Sequence, residues 1–138
     1  MPTWQTRSVA DWDDVRRIAL ALPEANEGES RGLPTWAVKG KGFVWERPLR
    51  KADLAALGDA APDGEILGAR VENLVAKEAL LQTDPDVYFT TPHFDGYPAI
   101  LVRLERITPE ELEELAAEAW LAVAPKRLAA AFLADRDG

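Results

Sequence analysis

His93 is the only histidine in a chain of 138 residues that has no cysteine. A histidine-based zinc site needs further nitrogen or sulfur ligands, and none exist here. A Ser-His-Asp triad would have to recruit Ser8 or Ser30, the only serines, and neither stands in a nucleophile setting. The glycine-rich dinucleotide fingerprint, the P-loop and the Gly-x-Ser-x-Gly elbow are missing. No catalytic residue, metal site or cofactor is therefore expected, and the chemistry left open is recognition.

Two stretches could carry it. His93 lies in Thr90-Thr91-Pro92-His93-Phe94-Asp95-Gly96-Tyr97-Pro98, where two prolines fix the backbone. Such a rigid, aromatic loop can present His93, Phe94, Asp95 and Tyr97 to a partner, with Trp36 or Trp45 completing a concave site. The plainer role is that His93 and Tyr97 hydrogen-bond within the loop and hold its shape. The second stretch is basic. Arg31, Lys39, Lys41, Arg47, Arg50 and Lys51 face one acid, Glu46, a local balance of +5. The remaining residues hold ten basic and 23 acidic side chains, a balance of −13, and the whole chain stands at −8. A basic hairpin in an acidic molecule can be an electrostatic footprint for nucleic acid. It can equally be a solubilising edge whose lysines prevent strand addition.

Other charges have local explanations. Asp11, Asp13 and Asp14 gather at a helix N-terminus, where the dipole favours carboxylates. Lys126 and Arg127 open a helix, where the dipole disfavours cations; pairing with Glu113 or Glu118 accounts for them, and an anionic partner is the alternative.

These residues must be positioned by a domain of ordinary kind. The length fits one domain over residues 1–138, with Met1–Arg7 as a loose lead-in. An apolar share of 47% and a charged share of 29% exclude a disordered chain. The N-terminus lacks a signal-peptide core, and no apolar run approaches the ~18 residues of a membrane helix, so a cytoplasmic protein is expected. Trp12, Val15, Ile18, Ala19 and Leu22 mark a first helix, capped by Asp11 and stopped by Pro23. Glu24 to Leu33 reads as a loop. Thr35–Val38 and Phe43–Glu46 form a hairpin around Lys39-Gly40-Lys41-Gly42, with Trp36 and Val38 on one face and Phe43 with Trp45 on one face. A short helix over Lys51–Leu57 ends at Gly58. A strand over Ile66–Val71, a helix over Leu74–Gln82 and strands over Val87–Thr90 and Ala99–Leu104 follow. Thr108-Pro109-Glu110-Glu111 reads as a capping box opening a helix, and Pro125 starts another. This order gives α+β: an antiparallel sheet of about five strands with the N- and C-terminal helices packed on one face.

At this level of detail the chain resembles the MmcQ/YjbR family of small bacterial proteins over nearly its whole length. The resemblance rests on Asp14-Val15-Arg16-Arg17-Ile18-Ala19-Leu20-Ala21-Leu22-Pro23, Gly32-Leu33-Pro34, Lys41-Gly42-Phe43 and, most specifically, Tyr88 to Pro98. Leu101-Val102-Arg103-Leu104, Glu118-Ala119-Trp120 and Ala124-Pro125-Lys126-Arg127-Leu128 extend it. What the resemblance implies is a frataxin-like (CyaY-like) domain and DNA binding through two wings, here Val38–Phe43 and Thr90–Pro98, without an enzymatic activity. The second wing has no Lys or Arg. By analogy with frataxin, the resemblance also raises an acidic metal ridge at Asp11, Asp13 and Asp14, which fold likeness alone does not carry.

Two expectations follow. In one, the protein contacts DNA weakly and salt-sensitively through Arg31, Lys39, Lys41, Arg47, Arg50 and Lys51. In the other, it is a protein-interaction or small-ligand module that uses His93, Phe94, Asp95 and Tyr97, with Arg103, Trp120, Lys126 and Arg127 as further contacts. Neither expectation involves a membrane.

Overall fold

Two tight turns shape the first half of the sheet. Arg31-Gly32 and Lys39-Gly40 have φ of 55° and 80°, then 50° and 80°. Two successive positive φ values make the two-residue hairpin turn whose twist matches that of strands, and glycine at the second position makes it accessible. These turns join β1 (Ala25–Ser30), β2 (Leu33–Val38) and β3 (Lys41–Glu46). The Glu24–Leu33 segment, expected as a loop, is therefore an edge strand. Its six residues pair fully with β2, from Ala25 opposite Val38 to Ser30 opposite Leu33. It carries no apolar alternation because all of its residues except Ala25 are exposed.

The computed structural model describes residues 9–137, so the lead-in Met1–Arg7 and Ser8 lie outside the described residues. The remaining elements are α1 (Trp12–Leu20), α2 (Lys51–Leu57), β4 (Ile66–Arg70), α3 (Leu74–Thr83), β5 (Tyr88–Phe89), β6 (Ala99–Arg103), α4 (Pro109–Val123) and α5 (Lys126–Asp137). The architecture is α+β, with one six-stranded antiparallel sheet in the order β1-β2-β3-β4-β6-β5.

The helices that frame the chain pack on one face. The Asp11 carboxylate accepts from the Asp14 amide at 2.9 Å and the Asp14 carboxylate accepts from the Asp11 amide at 3.0 Å, closing the box that opens α1. The Glu111 amide donates to Thr108 Oγ1 at 3.2 Å and starts α4. Under these helices Trp36, Val38, Leu67, Ala69, Ile100, Val102 and Trp120 form the main core. Trp120 is fully buried and donates Nε1–H to the Pro23 carbonyl at 3.0 Å, while Phe132 of α5 packs on its ring at 5.0 Å.

The other face is covered over only half its width. Ile66, Phe89, Phe94, Ala99 and Leu101 make a second apolar cluster against Leu49 and Leu57, below α2 and the 3-10 turn Pro92–Phe94. Strands β4 and β6 are thus buried on both sides and read as continuous apolar runs. Over β1 to β3 this cover stops. A bulge assists: Trp36 pairs with Val44 but Ala37 with Gly42, leaving Phe43 as an extra residue. Phe43 consequently joins the helix-side core with Val44, and Trp45 packs on the opposite face. The expectation that Phe43 and Trp45 share a face fails for that reason. Trp45 lies across Gly68, its cross-strand partner, where an added Cβ would fall 2.5 Å from the indole ring.

Candidate functional site

The step where the cover ends forms an open concavity of about 750 Å³ on the bare face of β1 to β3. Its floor is made by small residues, Thr35, Ala37, Gly40 and Gly42, and one wall by Trp45, His93, Phe94 and Tyr97. Arg31, Arg47 and Arg50 also border it. The site joins part of each sequence-derived stretch. Both expected wings reach it, the first through Gly40 and Gly42 and the second through the aromatic turn.

The aromatic turn is rigid for a reason the sequence hid. Lys77 of α3 is 6% exposed, and its Nζ donates to the Phe94 carbonyl at 2.6 Å and the Tyr97 carbonyl at 3.0 Å. Burial pulls its pKa down, against the opposing field of Asp95. Among the described residues neither the His93 nor the Tyr97 side chain makes a hydrogen bond, so the expectation that they brace the loop is corrected to Lys77. Phe94 plugs the turn into the second core, with His93 edge-on to it at 4.8 Å. Tyr97 is 46% exposed and lies under the Arg70 guanidinium at 5.4 Å.

Arg47 is the second feature. It is 4% exposed, and its Nη1 donates to Asp53 at 3.0 Å and to the Pro48 carbonyl at 2.6 Å. The guanidinium lies 5.2 Å from the Phe94 ring centroid. Its Nη2 is buried without a hydrogen-bond partner, as are the hydroxyls of Thr90 and Thr91 at the start of the aromatic turn. Burial alone would raise the Asp53 carboxyl, but the Arg50 amide and the Arg47 guanidinium outweigh it and hold it below the ordinary carboxylate range. Arg47 is therefore no exposed phosphate contact. It is a buried ion pair with one donor unspent.

The remaining candidates disperse. The basic window is split by the hairpins: Arg31, Arg47 and Arg50 collect at the end of β2 where Thr35 faces Trp45, while Lys39 and Lys41 lie at the other end. Six residues of β2 separate the two turns, roughly 20 Å. Lys39 is held by Glu24 at 2.6 Å, which follows from Ala25 pairing with Val38. Lys51 is exposed at the start of α2 and outside the cavity. Trp36 faces the helices and stacks on Trp12 at 6.4 Å, so Trp45 alone of the two completes the wall. Trp120 is core rather than a contact. Arg103 is half-buried, donates to the Pro85 and Asp86 carbonyls and covers the Phe89 ring at 4.6 Å, away from the cavity. Lys126 and Arg127 are exposed on α5 and pair with neither Glu113 nor Glu118, contrary to expectation. Asp95 is exposed in the turn beside His93. Among the described residues no group of acids and histidine is arranged to hold a metal, and no helix is long and apolar enough to cross a membrane.

Comparison with known proteins accords with this fold. The family model YjbR matches residues 20–122. The chain is 52% identical over 130 residues to the Mycobacterium bovis "Uncharacterized protein Mb2600", spanning 92% of this chain and 98% of that protein. It is equally similar to "Uncharacterized protein Rv2570" of Mycobacterium tuberculosis. A crystal structure of Deinococcus radiodurans protein DR2400, with a DUF419 domain, superposes with a TM-score of 0.63 at 22% identity, covering 89% of this chain and 84% of that one.

Proposed function

The chain belongs to the YjbR family, and for it we propose a non-enzymatic binding role: the bare face of β1 to β3 and the aromatic turn hold a small ligand with one anionic head and a flat apolar body. The observation that carries this reading is the cavity border itself, where exposed guanidinium groups stand beside aromatic faces. Arg31 and Arg50 supply exposed donors, and Tyr97 with Trp45 offers flat surfaces. Glu29 and Glu46 border the same cavity, and Asp53 neutralises Arg47. The field is thus local, suited to one negative group rather than to a polyanion.

Phenyl phosphate is a suitable probe, with the change in intrinsic tryptophan fluorescence as the reporter. Saturable binding is expected, reduced at least tenfold by Arg50→Ala and by Tyr97→Ala and unchanged by joint Lys39→Ala and Lys41→Ala substitution. Benzyl alcohol should bind far more weakly. A protein that gives no saturable response to phenyl phosphate, or that binds both probes alike, does not work this way.

A second reading, DNA binding through the basic hairpin, has one observation in its favour. Arg31, Lys41, Arg50 and Lys51 are exposed and stand outside the ion pairs found among the described residues. About four phosphate contacts would make log affinity for a labelled duplex fall with log salt at a slope near −3.6. That slope, together with loss of binding in the Lys39→Ala and Lys41→Ala variant, would favour the hairpin over the cavity.

A further inference from the structure

On the helix side of the sheet, away from the cavity, a groove of about 470 Å³ runs between α3 and α4. Its floor is apolar, made by Val71, Ala76, Leu80, Tyr88 and Leu115. Its rim is acidic: Glu72 and Asp84 on one side, Glu111, Glu114 and Glu118 on the other. No lysine or arginine lines it. None of the five carboxylates stands in an ion pair among the described residues. The acids reach the floor electrostatically, since the Tyr88 phenol is pushed up to about 12, by burial first and then by Glu111, Asp84 and Glu114.

Spacing gives the groove a direction. Glu111, Glu114 and Glu118 recur at i, i+3 and i+7 on α4, a run of two turns or about 10 Å. Ala76, Ala79, Leu80 and Thr83 mark the facing side of α3 at i, i+3, i+4 and i+7. This is the periodicity with which one helix reads another laid in a groove. Nucleic acid and anionic membrane are repelled by such a rim. We infer that the α3–α4 groove docks a short basic amphipathic helix of a protein partner, with leucine-type side chains on the floor and lysines or arginines against the rim. The two halves of the argument are separate: an apolar floor gains from being covered, and an unpaired acidic rim selects a cationic cover.

A fluorescein-labelled peptide of about 14 residues, roughly four helical turns, tests this on the intact chain by anisotropy. It carries leucines at i, i+3 and i+7 flanked by lysines. Saturable binding is expected, weakened by about tenfold or more when Glu111→Lys, Glu114→Lys and Glu118→Lys are combined, since each rim pair is worth roughly two- to fivefold. The same peptide with serines for leucines should bind at least tenfold more weakly. The three glutamates are exposed, so the thermal midpoint should hold; Ala79→Arg, which brings a cation into the groove from α3, must weaken the peptide as well if the triple variant misfolds. Arg50→Ala should change nothing. The inference is overturned if the serine peptide binds as well as the leucine one, if the rim variants bind normally, or if no peptide binds. It is also overturned if light scattering finds a dimer that Glu114→Lys dissolves, because a second copy would then be the occupant.

Discussion

The two faces of the sheet are built from alternate residues of the same strands, yet they are finished differently. Trp36, Val38, Leu67, Ala69, Ile100 and Val102 lie under α1 and α4 in one continuous core. The opposite face is covered over β4, β6 and β5 and bare over β1 to β3. The covered face spends its large side chains on packing, and its one indole N–H given to the chain's other end, Trp120 to Pro23, is satisfied. The half-covered face keeps unspent polar groups: Arg47 Nη2 and the Thr90 and Thr91 hydroxyls. The closed core and the open cavity are thus segregated by strand parity, since a period of two sends neighbouring residues to opposite fates.

Three substitutions would break or sharpen this contrast. The largest effect is expected for Trp120→Ala, which empties the centre of the closed face and should lower unfolding free energy by about 3–5 kcal/mol in denaturant titration. If phenyl phosphate binding also vanished in the folded fraction, the two faces would not be independent. Next is Tyr88→Phe. The Tyr88 phenol is raised to about 12 in the fold against 10 unfolded. Its neutral form therefore contributes stability that is full below pH 10 and is lost as pH rises through about 12, roughly 2–3 kcal/mol in all. The variant should flatten that alkaline loss in thermal melts across pH 9–12. A wild-type curve that is already flat there would remove the buried-phenol account. The smallest effect is expected for Lys77→Met. Two carbonyls lose their donor, at about 1–2 kcal/mol, and amide exchange should accelerate at Phe94 and Tyr97 but not in α4. Equal acceleration in α4 would mean that Lys77 braces both faces.

How much of this was legible beforehand differs by element. The β2–β3 hairpin, the Asp11 and Thr108 caps and the stop at Gly58 were readable because each is local chemistry: aromatic runs, a side chain bonding an amide, a glycine after the last helical turn. Strand β1 was not, because an exposed edge leaves no hydrophobic alternation to detect. The bulge at Phe43 was invisible since one extra residue looks like any other until its partner strand is known. For the site, the aromatic turn was legible and Trp45 was one of two options. Lys77 was missed because a lysine at helical spacing reads as solvent-facing, and only the fold shows it meeting the Phe94 and Tyr97 carbonyls. The basic window misled in a third way. Summing charge along the chain placed six cations together, whereas two reversals of direction put Arg31 and Lys39 at opposite ends of β2 and folded Arg47 inside.

The outer strands have a consequence for how this protein behaves in concentrated solution. The edge strand β1 carries Glu27 and Glu29, and Glu27 accepts from Arg16 at 2.7 Å and from the Trp36 indole at 3.1 Å, so it is anchored across the strand's flank. The opposite edge, β5, is only two residues long. A fibril needs a long, flat, uncharged row of free amides and carbonyls on which the next chain can zip. This sheet ends in a charged border on one side and a stub on the other, which makes growth by strand addition a poor route to aggregation.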